Sequence, residues 1–188
     1  GAAIGASASQ PAWSLPSLGV VTRFGVLVSS AMVSFHWLGW SWHDRYVSND
    51  AAVSAPYTNF SCGVPPASID YNGHLNDAAY AQLLTDANEM FLDALGLSAA
   101  YRERTGCSMY TVEITIKFLH EVNADDIIRA ESWVASRDSK RLRLATTLLV
   151  GATPVATGES LYLHVDTGAG KVAPFPDDRN QLLVRMAR

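Results

Sequence analysis

A change of hydrophobic period at Gly106 constrains this chain more than any other feature. Before it, Tyr80, Leu83, Leu84, Ala87, Phe91, Ala94 and Leu95 recur at helical spacing and make one apolar face on a single long helix. Gln82, Asp86, Glu89 and Asp93 fall on the opposite face. After Gly106 the pattern alternates. Tyr110, Val112, Ile114, Ile116 and Phe118 share one side, and Thr111, Glu113, Thr115 and Lys117 the other, as in a half-buried strand. Strand-like runs follow from Ile127 to Ser136, Arg141 to Val150 and Val155 to Val165. Their connections are short, which makes consecutive strands antiparallel neighbours. A strand from Tyr57 to Val64 precedes the long helix. A short helix from Ser98 to Arg104 follows it, and a helical piece from Asp178 to Ala187 closes the chain. One helix laid on the concave face of a mostly antiparallel sheet is an α+β domain.

The chain has 188 residues, enough for one domain with a substantial core. A net charge of −4 and the lack of any basic run argue against nucleic acid as the main partner. Cys62 and Cys107 have neither metal-ligand spacing nor a disulfide framework. His36, His43 and His120 show no ligand spacing either, so no metal and no cofactor is expected. There is no Gly-rich phosphate loop, nucleophile elbow or zinc-binding HExxH.

Residues 1–55 are expected to be an N-terminal extension, and residues 56–188 the folded domain. From Phe24 to Trp42 no Asp, Glu, Lys or Arg occurs, and the run approaches the length of a membrane span. Three readings stay open: a membrane or signal element, an extension packed on the domain, or upstream sequence with Met32 as an internal start. Membrane contact is expected only through this segment, and the domain itself is expected to be cytoplasmic.

Chemistry concentrates in Asp70-Tyr71-Asn72-Gly73-His74-Leu75-Asn76, immediately before the long helix. Asn76 is the expected N-cap, and Asp77 lies in the first turn, where the helix dipole favours negative charge. The free N–H groups of a helix start can hold a developing oxyanion. A neighbouring carboxylate can act as base or nucleophile on a carbonyl carbon. Asp70 is therefore the first catalytic candidate, with capping of the turn as its structural alternative. Gly73 supplies either a positive φ or room for close approach. His74 either positions substrate or Asp70, or braces the loop. Asn72 either orients water or stabilises the turn.

This motif, with Tyr80 following it, resembles the signature of the hotdog-fold acyl-CoA thioesterases of the 4-hydroxybenzoyl-CoA thioesterase type. Within that group the chain is similar to the betainyl-CoA thioesterases. The stretches that carry this likeness are Asp70 to Leu75, Tyr110-Thr111-Val112-Glu113, Ser139-Lys140-Arg141-Leu142, Ala156 to Glu159 and Leu163 to Asp166. The likeness covers roughly residues 57–176. It implies a hotdog fold, a homodimer joined sheet edge to sheet edge or a dimer of such dimers, active sites at the dimer interface, and thioester hydrolysis without a metal. It implies that Asp70 is the catalytic acid residue and that the peptide N–H of Asp77 polarises the thioester carbonyl.

The expected activity is hydrolysis of an acyl-CoA to a carboxylic acid and coenzyme A. Asp70, Gly73, His74 and Asp77 form the expected catalytic set. Asn72, Tyr80, Tyr110, Glu113, Lys140 and Arg141 are the expected substrate contacts. Lys140 and Arg141, with Arg143, would hold the phosphates of coenzyme A. Glu113 is either a carboxylate that attracts a cationic acyl group or a salt-bridged residue. Tyr110, Trp133 and Tyr162 are either core residues or a cage for a quaternary ammonium group. Two rival readings stand beside this one. The first is a hotdog-fold enoyl-CoA hydratase, although the four-residue step from Asp70 to His74 and the glycine between them depart from its pattern. The second is a non-catalytic acyl-CoA-binding module.

Overall fold

The computed structural model describes residues 53–187. In chain order these form β1 (Ser61–Gly63), α1 (Asp77–Ala94), α2 (Ala99–Thr105), β2 (Cys107–Phe118), β3 (Ile127–Arg137), β4 (Arg141–Val150), β5 (Thr153–Asp166), β6 (Lys171–Val172) and α3 (Asp177–Met186). The sheet runs β1-β3-β4-β5-β2, with β6 paired to β5 and every pairing antiparallel. The α+β architecture expected from the change of period is the one observed.

Three local details differ from the expectation. The first strand covers only Ser61–Gly63, with a single bridge from Tyr57 to Ser132 upstream. Pro56 and Pro65 bracket this stretch, and each lacks the N–H that a longer ladder needs. The chain also does not stop pairing at Asp166. It turns through residues 167–170, where Asp166 Oδ1 accepts the N–H groups of Gly168 and Ala169 at 2.9 and 3.0 Å, and returns as β6. The largest difference is in β2. Thr111 pairs with Tyr162, and Glu113 with Leu161, so Val112 is an extra residue in a bulge. One inserted residue reverses the alternation. Tyr110 and Glu113 therefore share the outer face of the sheet, and Thr111 and Ile114 share the inner one. The unbroken apolar face expected from Tyr110 to Phe118 does not exist.

The inner face is set by Ile128, Ala130, Ser132 and Val134 on β3, Leu142, Leu144, Thr146 and Leu148 on β4, and Ala156, Ser160, Tyr162 and His164 on β5, all buried. Tyr80, Leu84, Ala87, Asn88 and Phe91 of α1 are buried against this side of the molecule. Gly158 sets how closely α1 approaches β5, because a Cβ there would lie 2.8 Å from Leu84 Cδ1. A buried polar chain crosses the same interface. Thr146 Oγ1 donates to Asn88 Oδ1 at 2.7 Å, so Ser132 Oγ must donate to Thr146 Oγ1 at 2.9 Å. Asn88 Nδ2 donates to Ser160 Oγ at 3.1 Å. Unpaired, these groups would each cost about 1–3 kcal/mol, so the network penalises any slide of the helix along the sheet. Asp86, on the helix face assigned to charge, is buried too, and accepts from Gln82 Nε2 at 2.6 Å.

His164 ties the far end of the molecule together. The carbonyl of Ala173 can only accept, so His164 Nδ1 donates to it at 2.9 Å. Nε2 is then left to accept from the Tyr101 hydroxyl at 2.8 Å. The imidazole lies against Phe175, with ring centroids 4.7 Å apart. This histidine is structural. Cys62 and Cys107 form no disulfide and lie on β1 and β2, the two opposite edges of the sheet.

Candidate active site

The loop before α1 is closed by its own backbone. Asp70 N–H donates to the His74 carbonyl at 2.8 Å, and Gly73 N–H to the Asp70 carbonyl at 3.1 Å. Within this turn the Asp70 carboxylate collects donors. Oδ1 accepts from the N–H groups of Asn72 at 2.8 Å and His74 at 3.3 Å, and Oδ2 from the Asn72 side-chain amide at 3.2 Å. Burial pushes the Asp70 carboxyl up, but those three hydrogen bonds and the nearby His74 together outweigh it. They hold the group below the ordinary aspartate range. Asp70 is thus a carboxylate at neutral pH, part-exposed and free to meet a substrate. Gly73 adopts φ 87°, and a Cβ there would meet nothing within 4 Å. Its backbone conformation, and not crowding, calls for glycine.

The loop is then clamped onto the molecule. Leu75 N–H donates to the Val122 carbonyl at 2.8 Å, and Asn76 N–H to the Ser68 carbonyl at 2.9 Å. Asn76 is the N-cap, its Oδ1 accepting from Ala79 N–H at 2.9 Å. Its amide also donates to the Ser68 carbonyl at 2.7 Å. Asp77 Oδ1 accepts from Ala78 N–H at 2.9 Å. The Asp77 N–H itself has no acceptor among the described residues. A carboxylate and a free N–H at the positive end of an 18-residue helix therefore flank the same turn. Tyr80 is placed differently from a substrate contact in solvent. It is buried, donates its hydroxyl to the His120 carbonyl at 3.1 Å, and packs edge-on against Phe118. It supports the wall of the site.

Asp70, Asn72, Gly73 and His74 share one hydrogen-bonded turn that leads into the helix start carrying Asp77 and Tyr80, and the other expected contacts lie elsewhere. The site loop packs against residues 118–122, beside the β5 end where Phe118 pairs with Ala156. Arg141 pairs with Leu163 at the opposite end of β5, as does Tyr110. Lys140 N–H and the Arg141 guanidinium bond the Asp138 carboxylate and hold it below its ordinary range, with Arg141 Nε 2.5 Å from Oδ2. Glu113 lies on the outer face, 3.2 Å from Arg143, which also reaches Glu159 at 3.3 Å. These three residues border a shallow trough of about 310 Å³ across the outer face. The sheet also divides the aromatic trio, because Tyr162 points inward and Tyr110 and Trp133 outward. A cage of all three cannot form within one protomer.

One residue at the site escaped the sequence reading. Glu121 Oε2 lies 3.3 Å from His74 Nε2. No spacing rule links the two, because Glu121 reaches the site from the connection between β2 and β3. Among the described residues no helix is long and apolar enough to cross a membrane. Residues 24–42, and almost all of the expected extension over 1–55, lie outside the described residues.

Residues 64–183 match the family model of the thioesterase-like superfamily. The chain belongs to that superfamily. Among superfamily relatives, it is 43% identical over 136 residues to the L-carnitine dehydrogenase/betainyl-CoA thioesterase of Agrobacterium fabrum, which covers 71% of this chain and 28% of that protein. It is 31% identical over 125 residues to the betainyl-CoA thioesterase of Pseudomonas aeruginosa, covering 65% of this chain and 79% of that one. The chain thus spans only 28% of the length of the two-activity Agrobacterium relative and most of the Pseudomonas one. In structure it is similar to a Staphylococcus aureus protein solved in complex with CoA, with a TM-score of 0.66 and 23% identity, covering 72% of this chain and 87% of that chain. The superfamily fold is the hotdog fold, a curled antiparallel sheet around one long helix, and it is the fold seen here.

Proposed function

We propose that this chain hydrolyses an acyl-CoA thioester to a carboxylic acid and free coenzyme A, with Asp70 as the reactive carboxylate. The features that carry the proposal are an ionised Asp70 on the loop that runs into α1 and, at the start of that helix, an Asp77 N–H with no acceptor among the described residues. Two routes use the same parts. In one, an Asp70 oxygen attacks the carbonyl carbon, the C–S bond breaks, coenzyme A leaves as thiolate, and water hydrolyses the resulting anhydride. In the other, Asp70 takes a proton from water as that water attacks. Both build negative charge on the carbonyl oxygen, where the Asp77 N–H and the helix dipole oppose it.

The site is built to work in a pair of chains. β2 is an edge strand, and Val112, Ile114 and Phe118 on it, with Leu119 just after it, are all about half exposed. A long apolar edge of this kind pairs with another edge or aggregates. Two β2 strands pairing antiparallel about a two-fold axis would set the Cys107 end of one beside the Phe118 end of the other. That brings the partner subunit's Lys140 and Arg141 toward the Asp70 loop, where phosphates of coenzyme A could be held. Light scattering should return two or four times the chain mass, and a monomer at micromolar concentration would remove this part of the reading.

The names of the relatives make a thioester with a quaternary ammonium acyl group the first substrate to test. A panel of betainyl, short-chain and aromatic CoA thioesters, followed with a thiol reagent, should show thiol release from at least one. Tight binding without thiol release from any member would favour a binding module. Loss of a conjugated enone without thiol release would mean hydration.

A further inference from the structure

We propose that the trough on the outer face of the sheet is a binding site for a small zwitterion that carries a quaternary ammonium group and a carboxylate a few bonds apart. Strand register builds its centre. Trp133 of β3 pairs with Ala145 of β4, and Ala145 with Glu159 of β5, so the three side chains stand in one row on the same face. Neighbouring strands lie about 4.8 Å apart, which sets the Trp133 and Glu159 backbones roughly 10 Å from each other. The side chain between them is a single methyl group. An aromatic wall and a carboxylate wall thus flank a gap floored by Ala145. Along β4, Arg143 and Thr147 mark its two ends, each about 7 Å from Ala145. All five residues line the same trough of about 310 Å³.

The charges select the ligand. Arg143 Nη1 lies 3.2 Å from Glu113 Oε1 and 3.3 Å from Glu159 Oε2, so one nitrogen serves both carboxylates. Two carboxylates on one guanidinium leave this group of three with an excess negative charge, which favours a cation beside Glu159. A quaternary ammonium is the cation that suits a tryptophan wall, because it has no N–H to satisfy and is attracted to the face of the ring. Nε and Nη2 of Arg143 lie outside the two ion pairs and can take a carboxylate in the planar fork that guanidinium groups favour. Arg143 is also the least exposed of the three, at 27% against 51% for Glu113 and 55% for Glu159, so its head is the one held in place. Binding here does not depend on the thioesterase reading. Under that reading, an acid of this class is what a quaternary ammonium acyl-CoA releases, and the trough holds it on the face of the sheet opposite α1.

Titration of trimethylglycine into the full chain tests the site. The NMR signal of the Trp133 indole N–H, assigned by its loss in Trp133→Phe, should move with half-saturation at about 1 mM ligand. Choline lacks the carboxylate, and tert-butylacetate has carbon in place of the charged nitrogen. Each should bind about five-fold or more weakly. Ala145→Leu fills the gap and should abolish the shift. Glu159→Gln, a change on the exposed face, should weaken binding about five-fold at an unchanged melting temperature. Asp70→Asn should bind as wild type does. No shift in the wild type at tenfold higher ligand would overturn the proposal, and so would equal affinity for tert-butylacetate. Binding lost in Asp70→Asn and kept in Ala145→Leu would place the ligand at the Asp70 loop and equally overturn it. Thiol release plays no part in this readout, so failure of the thioesterase reading is distinguishable from failure of the site.

Discussion

Replacing Asp70 with Asn is expected to lower kcat by about 10²–10⁴-fold, the range lost when a positioned base or nucleophile is removed. The loop should survive the change. Asn keeps an oxygen that can accept from the Asn72 and His74 N–H groups, which are the bonds that shape the turn. Circular dichroism and the melting temperature should therefore stay close to wild type while thiol release falls. A D70N variant with wild-type turnover would end the assignment of Asp70. The pH profile adds a sign. The Asp70 carboxyl is held below the ordinary aspartate range, so the active carboxylate persists as pH falls through that range. Activity should be lost only below it. An acid limb at or above the ordinary aspartate value would mean that another group governs the reaction.

Phe91→Ala should cost about 3–5 kcal/mol of stability, as truncation of a fully buried aromatic does. Phe91 is completely buried on α1, among Leu142, Leu144 and Tyr162, and stacks on Tyr57 with ring centroids 5.0 Å apart. It therefore joins the helix both to the sheet and to the chain before β1. Equilibrium denaturation should show a lower midpoint with an unchanged slope. A loss below about 1 kcal/mol would mean that the surrounding side chains collapse into the space, contrary to the close packing proposed for this cluster. The site lies at the other end of α1, so catalysis per folded molecule should change little.

The helix and the turn before it could be read from sequence because their signals are local. Asn76 as N-cap, Asp77 in the first turn and Gly73 at a positive φ each depend on residues within one turn of chain. The apolar spacing from Tyr80 to Leu95 places the buried face without knowledge of what it packs on. The same locality misled the reading of β2. Alternation from Tyr110 to Phe118 looks continuous in sequence, yet the pairing with β5 admits one extra residue at Val112 and turns Tyr110 to the outer face. Nothing local in the sequence marks that bulge, because it is decided by the partner strand. Glu113, Lys140 and Arg141 carried plausible charges for a substrate site, but register sends Glu113 to the outer face and the other two to the far end of the sheet.

What the sequence determined by itself is the set of elements and the chemistry of one loop: a long helix, four alternating strands, and a carboxylate and a histidine before the helix start. Dihedral preference, capping and hydrophobic period act between near neighbours, so a single chain of letters carries them. What only the tertiary structure decided is which groups meet across the fold. The Glu121–His74 pair, the buried chain from Ser132 through Thr146 and Asn88 to Ser160, and the separation of Tyr162 from Trp133 all follow from strand register and from the seat of α1 on the sheet. A shift of one residue in register reverses the face of every side chain on a strand, and only the packed core selects among the registers.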